Sequence, residues 1–276
     1  MSTDKPDRGQ IQSRNEPFTA RTATRICEEM PNAENPYLSQ TCRYHGYELG
    51  ELMHKRSFVD VLFLLLRGEL PTADQGRLFE TLLIGLSNPG PRHAATRAAM
   101  TAGVGKTDPA HILPIALSVL GGNHLGGGEV TEAMAFLRRQ RNKDPQAVAT
   151  ELLVTRERPE EGDWRVAPGF GSRFGGIDPL PLSMAGQLQA LPGAGEALRW
   201  GSRFAAALKA EQGGWLLPAV AAVVFLDLGF HPRAGAGLFQ IAAAPGLLAH
   251  GLELANQPRT AMPFPDDDHY FIEVTS

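Results

Sequence analysis

Apolar residues recur at helical spacing through most of this chain, and the period-two alternation of a half-buried strand is nearly absent. The run from Tyr47 to Leu66 has this pattern, with Ser57 placed to cap the stretch Phe58–Leu66. GELPT (68–72) stops one helix and opens the approach to the next. Further helices are predicted over 73–86, 92–102, 108–120 and 130–140, with SNPGP (87–91) as a turn and Pro109 near a helix start. Four more follow at about 182–192, 194–210, 214–228 and 234–255. Between these groups, 142–168 is polar and reads as a loop or domain edge, and PGFGSRFGGIDPLP (168–181) reads as irregular. Residues 1–20 read as disordered and PFPDDDHYFIEV (263–274) as an acidic, aromatic tail. Helices joined by short turns predict an all-α fold.

Net charge is -4, which gives no electrostatic reason to expect nucleic acid or an anionic membrane as a partner. The longest apolar runs, 59–66 and 216–226, fall short of the roughly 20 residues of a membrane span. The polar N-terminus lacks the apolar stretch of a secretory signal, and the two cysteines, Cys27 and Cys42, read as reduced thiols. These features predict a soluble, cytoplasmic protein. Its 276 residues suffice for one large domain or two smaller ones.

LGGNHLGGGE (120–129) sets one histidine, His124, among five glycines. That composition suits a backbone approached closely by a ligand, and equally a turn packed tightly for structural reasons. Several motifs fail on spacing. AGVGKT (102–107) ends like a phosphate loop, but Met100 stands where the first glycine belongs. GFGSRFGG lacks the preceding strand of a dinucleotide site. His93, His111 and His124 are too scattered for zinc, and Arg173 and Phe174 after Ser172 exclude an esterase elbow.

Five segments in order resemble the citrate synthase superfamily, in particular its short citryl-CoA lyase-like branch and the C-terminal part of ATP-citrate lyase. They are RYHGYELGELMHKRSFVDVLFLLLRGELPT (43–72), SNPGPRHAAT (87–96), LGGNHLGGGE (120–129), PGFGSRFGGIDP (168–179), and LLPAVAAVVFLDLGF (216–230) with LLAHGLE and PFPDDDHYF behind it. The resemblance implies an all-α protein with a large helical domain (21–124 and 216–276) and a small one (125–215), assembled as a homodimer. It implies chemistry on a coenzyme A thioester, joining or cleaving a carbon–carbon bond between an acetyl group and a keto acid, with no covalently bound cofactor and no metal. Such chemistry needs a base at the thioester methyl and donors at the developing oxyanion.

The family's catalytic set is only partly present. Where the family has its aspartate base this chain has Pro218, and where it has the histidine of its GHR motif this chain has Ser172. Its DHG histidine is replaced by Pro89, and the arginine after Asp178-Pro179 by Leu180. His124 matches the thioester-facing histidine, although Leu125 interrupts the usual His-Gly-Gly. By the resemblance His124 and Ser172 are the catalytic candidates, and Arg173, Gly126 and Gly127 would hold the substrate. Gly169, Phe170, Gly171 and Asp178 would face coenzyme A. Glu129 is a candidate substitute base, though an acid in the first turn of a helix commonly serves the helix alone. Asp227 and His250, on otherwise apolar helices, read as structurally paired, and Asp266–Asp268 as a solvated turn. Two functions remain open: a citrate synthase-type acyltransferase or citryl-CoA lyase, and a non-catalytic relative that binds coenzyme A or a partner chain.

Overall fold

The computed structural model describes residues 23–263 and Tyr270. The segments read as a disordered N-terminus and as an acidic tail lie outside them, apart from Pro263 and Tyr270. The chain separates into two compact units, one ending at Leu70 and one beginning at Pro71.

The first unit carries β1 (Cys27–Pro31), β2 (Ser39–Tyr44) and β3 (Tyr47–Glu48) in one antiparallel sheet, then α1 (Leu49–Lys55) and α2 (Phe58–Arg67). The helical pattern of Tyr47–Leu66 is a short strand and two helices, and Ser57 caps the second of them as expected. Ser57 causes the break: its hydroxyl accepts from Asp60 N–H while Asp60 accepts from Ser57 N–H, a capping box that starts α2 afresh. Gly68 ends α2 at φ 81°, a conformation that suits glycine.

The second unit holds α3 (Ala73–Leu86), α4 (Ala94–Val104), α5 (Pro109–Leu120), α6 (Gly127–Gln140) and α7 (Pro145–Thr155). A small antiparallel sheet follows, β4 (Trp164–Ala167), β5 (Phe170–Ser172) and β6 (Gly214–Trp215), with α8 (Pro179–Gln189) and α9 (Glu196–Ala207) inserted before β6. The unit closes with α10 (Leu217–Asp227) and α11 (Gly235–Ala255). The all-α reading holds, with sheets confined to short hairpins. The polar stretch 142–168 contains α7, started by Asp144 as cap and Pro145 in the first turn, and β4. Its short apolar side (Pro145, Val148, Ala149) is buried, too narrow a stripe to stand out among polar neighbours.

Two apolar helices run through the second unit. Every residue of α10 from Pro218 to Phe225 is buried, as expected for a helix that is apolar all round. It packs on α6 and α9. Beside it Phe170, Trp215, Phe204 and Trp200 form a chain of ring contacts with centroids 4.9–5.1 Å apart, edge-on, tilted or stacked. Helix α11 is long and apolar enough, by length and composition, to cross a membrane, and here it lies against α4, α5 and α6. Pro245 interrupts its hydrogen-bond ladder, and Gly246 N–H turns outward to the Ser87 carbonyl at 2.8 Å. Lys106, from the rejected phosphate-loop motif, donates to the Ala255 and Gln257 carbonyls at the end of α11.

Helices α4 and α11 touch through backbone: a Cβ on Gly103 would collide with the Gly251 carbonyl oxygen. Gly103→Ala is expected to lower stability by about 1–3 kcal/mol through overpacking, read as a lower urea midpoint with unchanged m. An unchanged midpoint would show that the two helices separate freely at this contact.

Candidate active site

The turn between α5 and α6 carries His124, and its neighbour Leu125 fixes it. Leu125 sits at φ 55°, unfavourable for a bulky side chain. Both its backbone groups are held: its N–H donates to Glu129 Oε2 at 2.7 Å, and its carbonyl accepts from His93 Nε2 at 3.1 Å. The glycines around it serve close packing. A Cβ on Gly126, the N-cap of α6, would strike the carbonyl oxygens of Leu120 and Gly122, and one on Gly127 would press on Ala236.

Glu129 is fully buried in the first turn of α6, and both its oxygens are occupied. Oε1 accepts from Gly169 N–H at 2.9 Å and faces Arg165 Nε at 3.0 Å, a charge pair rather than an aligned hydrogen bond. Arg165 also reaches Glu132 at 3.4 Å. The carboxylate thus ties the His124 turn to the 168–173 segment. Gly169, at φ 75° and against the backbone of Ala219, admits no side chain. Glu129 is therefore committed to structure.

Asp163, just before β4, collects the two charged candidates. Its side chain is 8% exposed; Oδ1 accepts from Arg173 Nε at 2.9 Å, and Oδ2 lies 3.4 Å from His124 Nε2. The His124 side chain is 66% exposed and that of Arg173 33%, so both present an open edge while Asp163 holds them from below. The Arg173 guanidinium also lies 5.8 Å from the Phe174 ring centroid. His93, the N-cap of α4, accepts from Ala95 N–H at Nδ1, so Nε2 carries the proton it gives to Leu125. Burial holds the His93 pKa below the usual histidine value, and the charges of Arg173 and His124 add to this.

Asp163 and His93 escape sequence reasoning. Asp163 sits in an acidic stretch that reads as solvated, and His93 lies far from the glycine-rich turn in sequence. No local pattern marks either residue.

Ser172 is brought to the same hairpin as Arg173 but is 1% exposed, and its Oγ has no hydrogen-bond partner among the described residues. It pairs across the strands with Trp164, whose Nε1 is likewise buried and unpartnered. Both border a cavity of about 390 Å³ lined also by Arg158, Glu160, Glu161 and Phe174. The Arg158 guanidinium stands 5.1 Å from the Trp164 ring centroid. The remaining candidates have structural places. Phe170 is fully buried in the aromatic chain, a Cβ on Gly171 would strike the Trp164 carbonyl, and Asp178 caps α8 through Leu180 N–H at 3.1 Å.

Two of the positions that the resemblance marks as replaced, Pro218 and Pro89, have structural places as well. Pro218 is buried in the first turn of α10, where its missing N–H costs nothing. Pro89 lies in a turn closed by Asn88 Oδ1, which accepts from Gly90 N–H and meets His250 Nε2 at 3.2 Å. Asp227 accepts from the amides of Gly195, Ala197 and Leu198 at the start of α9, while burial pushes its pKa up.

Residues 19–138 match the family model "Citrate synthase, C-terminal domain". No curated protein matches by sequence. Solved structures extend the likeness to the whole chain. Citryl-CoA lyase from Hydrogenobacter thermophilus superposes with a TM-score of 0.75 at 23% identity, over 92% of this chain and 95% of that one. ATP citrate lyase from Methanothrix soehngenii, in complex with citrate and coenzyme A, gives 0.68 at 17% identity, over 99% of this chain and 48% of that one. Citrate synthase from Thermoplasma acidophilum, in ternary complex with carboxymethyl coenzyme A and oxaloacetate, gives 0.60 at 18% identity, over 80% and 58%. The fold is citrate synthase-like, as the five segments implied.

Two outcomes test this site. Glu129→Ala strands two amide donors and Arg165, and is expected to cost about 3–5 kcal/mol, measured by denaturant unfolding. The His93 contacts need a neutral ring, whose folded pKa lies below the unfolded value of 6.5. Their contribution is complete above that value and is lost as pH falls through the folded pKa. Lowering the pH from about 7.5 to about 5.5 should therefore reduce Tm more in wild type than in His93→Asn. Parallel Tm curves would refute the contribution.

Proposed function

We propose that this protein acts on a coenzyme A thioester and makes or cleaves a carbon–carbon bond between an acetyl group and a keto acid, as an acyltransferase or citryl-CoA lyase. The observation that carries the reading is the Asp163 carboxylate held between His124 and Arg173. Asp163 lies 3.4 Å from His124 Nε2, and closing that contact to a hydrogen bond would keep the proton on Nε2 and leave the Nδ1 lone pair for an oriented general base. His124 would take a proton from the thioester methyl at Nδ1 as the C–H electron pair moves into the enolate. Asp163, too buried to touch substrate, positions the ring and stabilises the imidazolium. This reading moves His124 from donor at the thioester oxygen, its role by resemblance, to base, the role left open by Pro218. Arg173, with its remaining nitrogens free of Asp163, would hold a carboxylate of the keto acid. The relatives solved with citrate, oxaloacetate or coenzyme A derivatives support this ligand class. The two-domain organisation, the homodimer and a cytoplasmic location belong to the same proposal.

A second reading, a non-catalytic binder of coenzyme A or of a partner chain, is favoured by one observation: the start of α10 presents a buried proline where the family has its base.

Two measurements separate the readings. Coenzyme A at a hundredfold excess over Kd should stabilise the native chain by about 2.7 kcal/mol and raise Tm. Acetyl-CoA in D2O should exchange its methyl protons, and His124→Ala should slow that exchange by roughly 10²-fold or more. Asp163→Asn should lower the exchange rate without abolishing the Tm shift. Binding without exchange would leave the second reading, and no Tm shift at millimolar coenzyme A would reject both coenzyme A readings.

A further inference from the structure

The chain has two cysteines, and they meet. Cys27 opens β1 and Cys42 lies in β2; the register sets Cys27 opposite Tyr44 and Cys42 opposite Glu29. The two side chains are diagonal neighbours on one face of the sheet, and their Sγ atoms stand 3.3 Å apart. Both are half-buried, and β1 is the outer strand with its remaining residues exposed. A thiol pair in contact at an accessible sheet edge is a different object from two isolated structural cysteines.

We propose that Cys27 and Cys42 form a reversible oxidation site, which reacts with a low-molecular-weight disulfide and closes to an intramolecular disulfide. In the first step the Cys27 thiolate attacks one sulfur of the oxidant R–S–S–R. That S–S bond breaks, one R–S⁻ leaves and takes a proton from water, and Cys27 carries the mixed disulfide. In the second step the Cys42 thiolate attacks Cys27 Sγ, the second R–S⁻ leaves, and the Cys27–Cys42 bond forms. Two protein thiols are oxidised and one reagent disulfide is reduced to two thiols.

The order follows from the surroundings. The hydrogen bond with Cys27, followed by burial and the charges of Cys27, Glu29 and Glu48, pushes the Cys42 thiol up to about 11. Cys27 lies on the edge strand and Cys42 on the central one, which places the first attack on Cys27, and the raised Cys42 thiol agrees with that order. Once Cys27 is capped, its hydrogen bond and charge no longer hold the Cys42 proton, and the second sulfur already stands at contact distance. The closed form clamps β1 to β2 across residues 28–41 and restricts the unfolded chain.

The test uses the full chain, fully reduced and then equilibrated with oxidised glutathione. Free thiols are trapped by alkylation and the intact mass is read. The expected product is lighter than the reduced chain by about two mass units, the two thiol hydrogens, with no alkylation and no bound glutathione. It should melt at a higher temperature than the reduced chain and return to the reduced mass with dithiothreitol. Cys42→Ser, which lacks the second thiol, should instead retain one glutathione on Cys27. A wild-type chain that keeps a mixed disulfide, or that stays fully alkylatable, overturns the proposal. So does Cys42→Ser that takes up no glutathione.

Discussion

One buried carboxylate organises the site. Glu129 has no access to solvent, and its two oxygens reach the amides of Leu125 and Gly169 and the side chain of Arg165. A charge in that position is tolerable only because each oxygen meets a donor. In return, the turn bearing His124 and the hairpin bearing Arg173 are held at fixed separation, close enough for Asp163 to touch both. Leu125 keeps its unfavourable φ for the same reason, with Glu129 on its N–H and His93 on its carbonyl. The open edge of the site thus rests on polar contacts that themselves face inward.

The helices are legible in the sequence because their apolar stripes are wide and, at Ser57, the cap is explicit; three other caps show only in the structure. Ser57, Thr72, Asp108 and Asp178 all accept from amides in the first turn of the helix they precede. Helix α7 was hidden because its buried side is short, and β4 and β5 because strands of a few residues show too little alternation to register. The site was legible only in part. His124 and Arg173 stand out by resemblance, but what unites them is Asp163, and no local pattern marks that residue. Glu129 lies close to His124 in sequence, which invites a chemical role, yet its orientation into the core depends on Gly169, 40 positions away. Phe170 shows the same limit: the resemblance implies that it faces coenzyme A, and tertiary packing places it in the core.

The glycine-rich turn that stood out in the sequence has a mixed explanation. Its glycines admit backbone and neighbouring helices at distances no Cβ would allow. Its His124 side chain is exposed, beside an exposed Asn123. Composition therefore marked a place of close packing, and the exposed imidazole is the part available for chemistry.

Helix α10 limits how this protein can change. From Pro218 to Phe225 it has no exposed face. An aspartate substituted for Pro218 would bring a carboxylate into the interior, and without donors to match it would cost several kcal/mol. Helix α10 therefore accepts a charge at this position only together with changes around it.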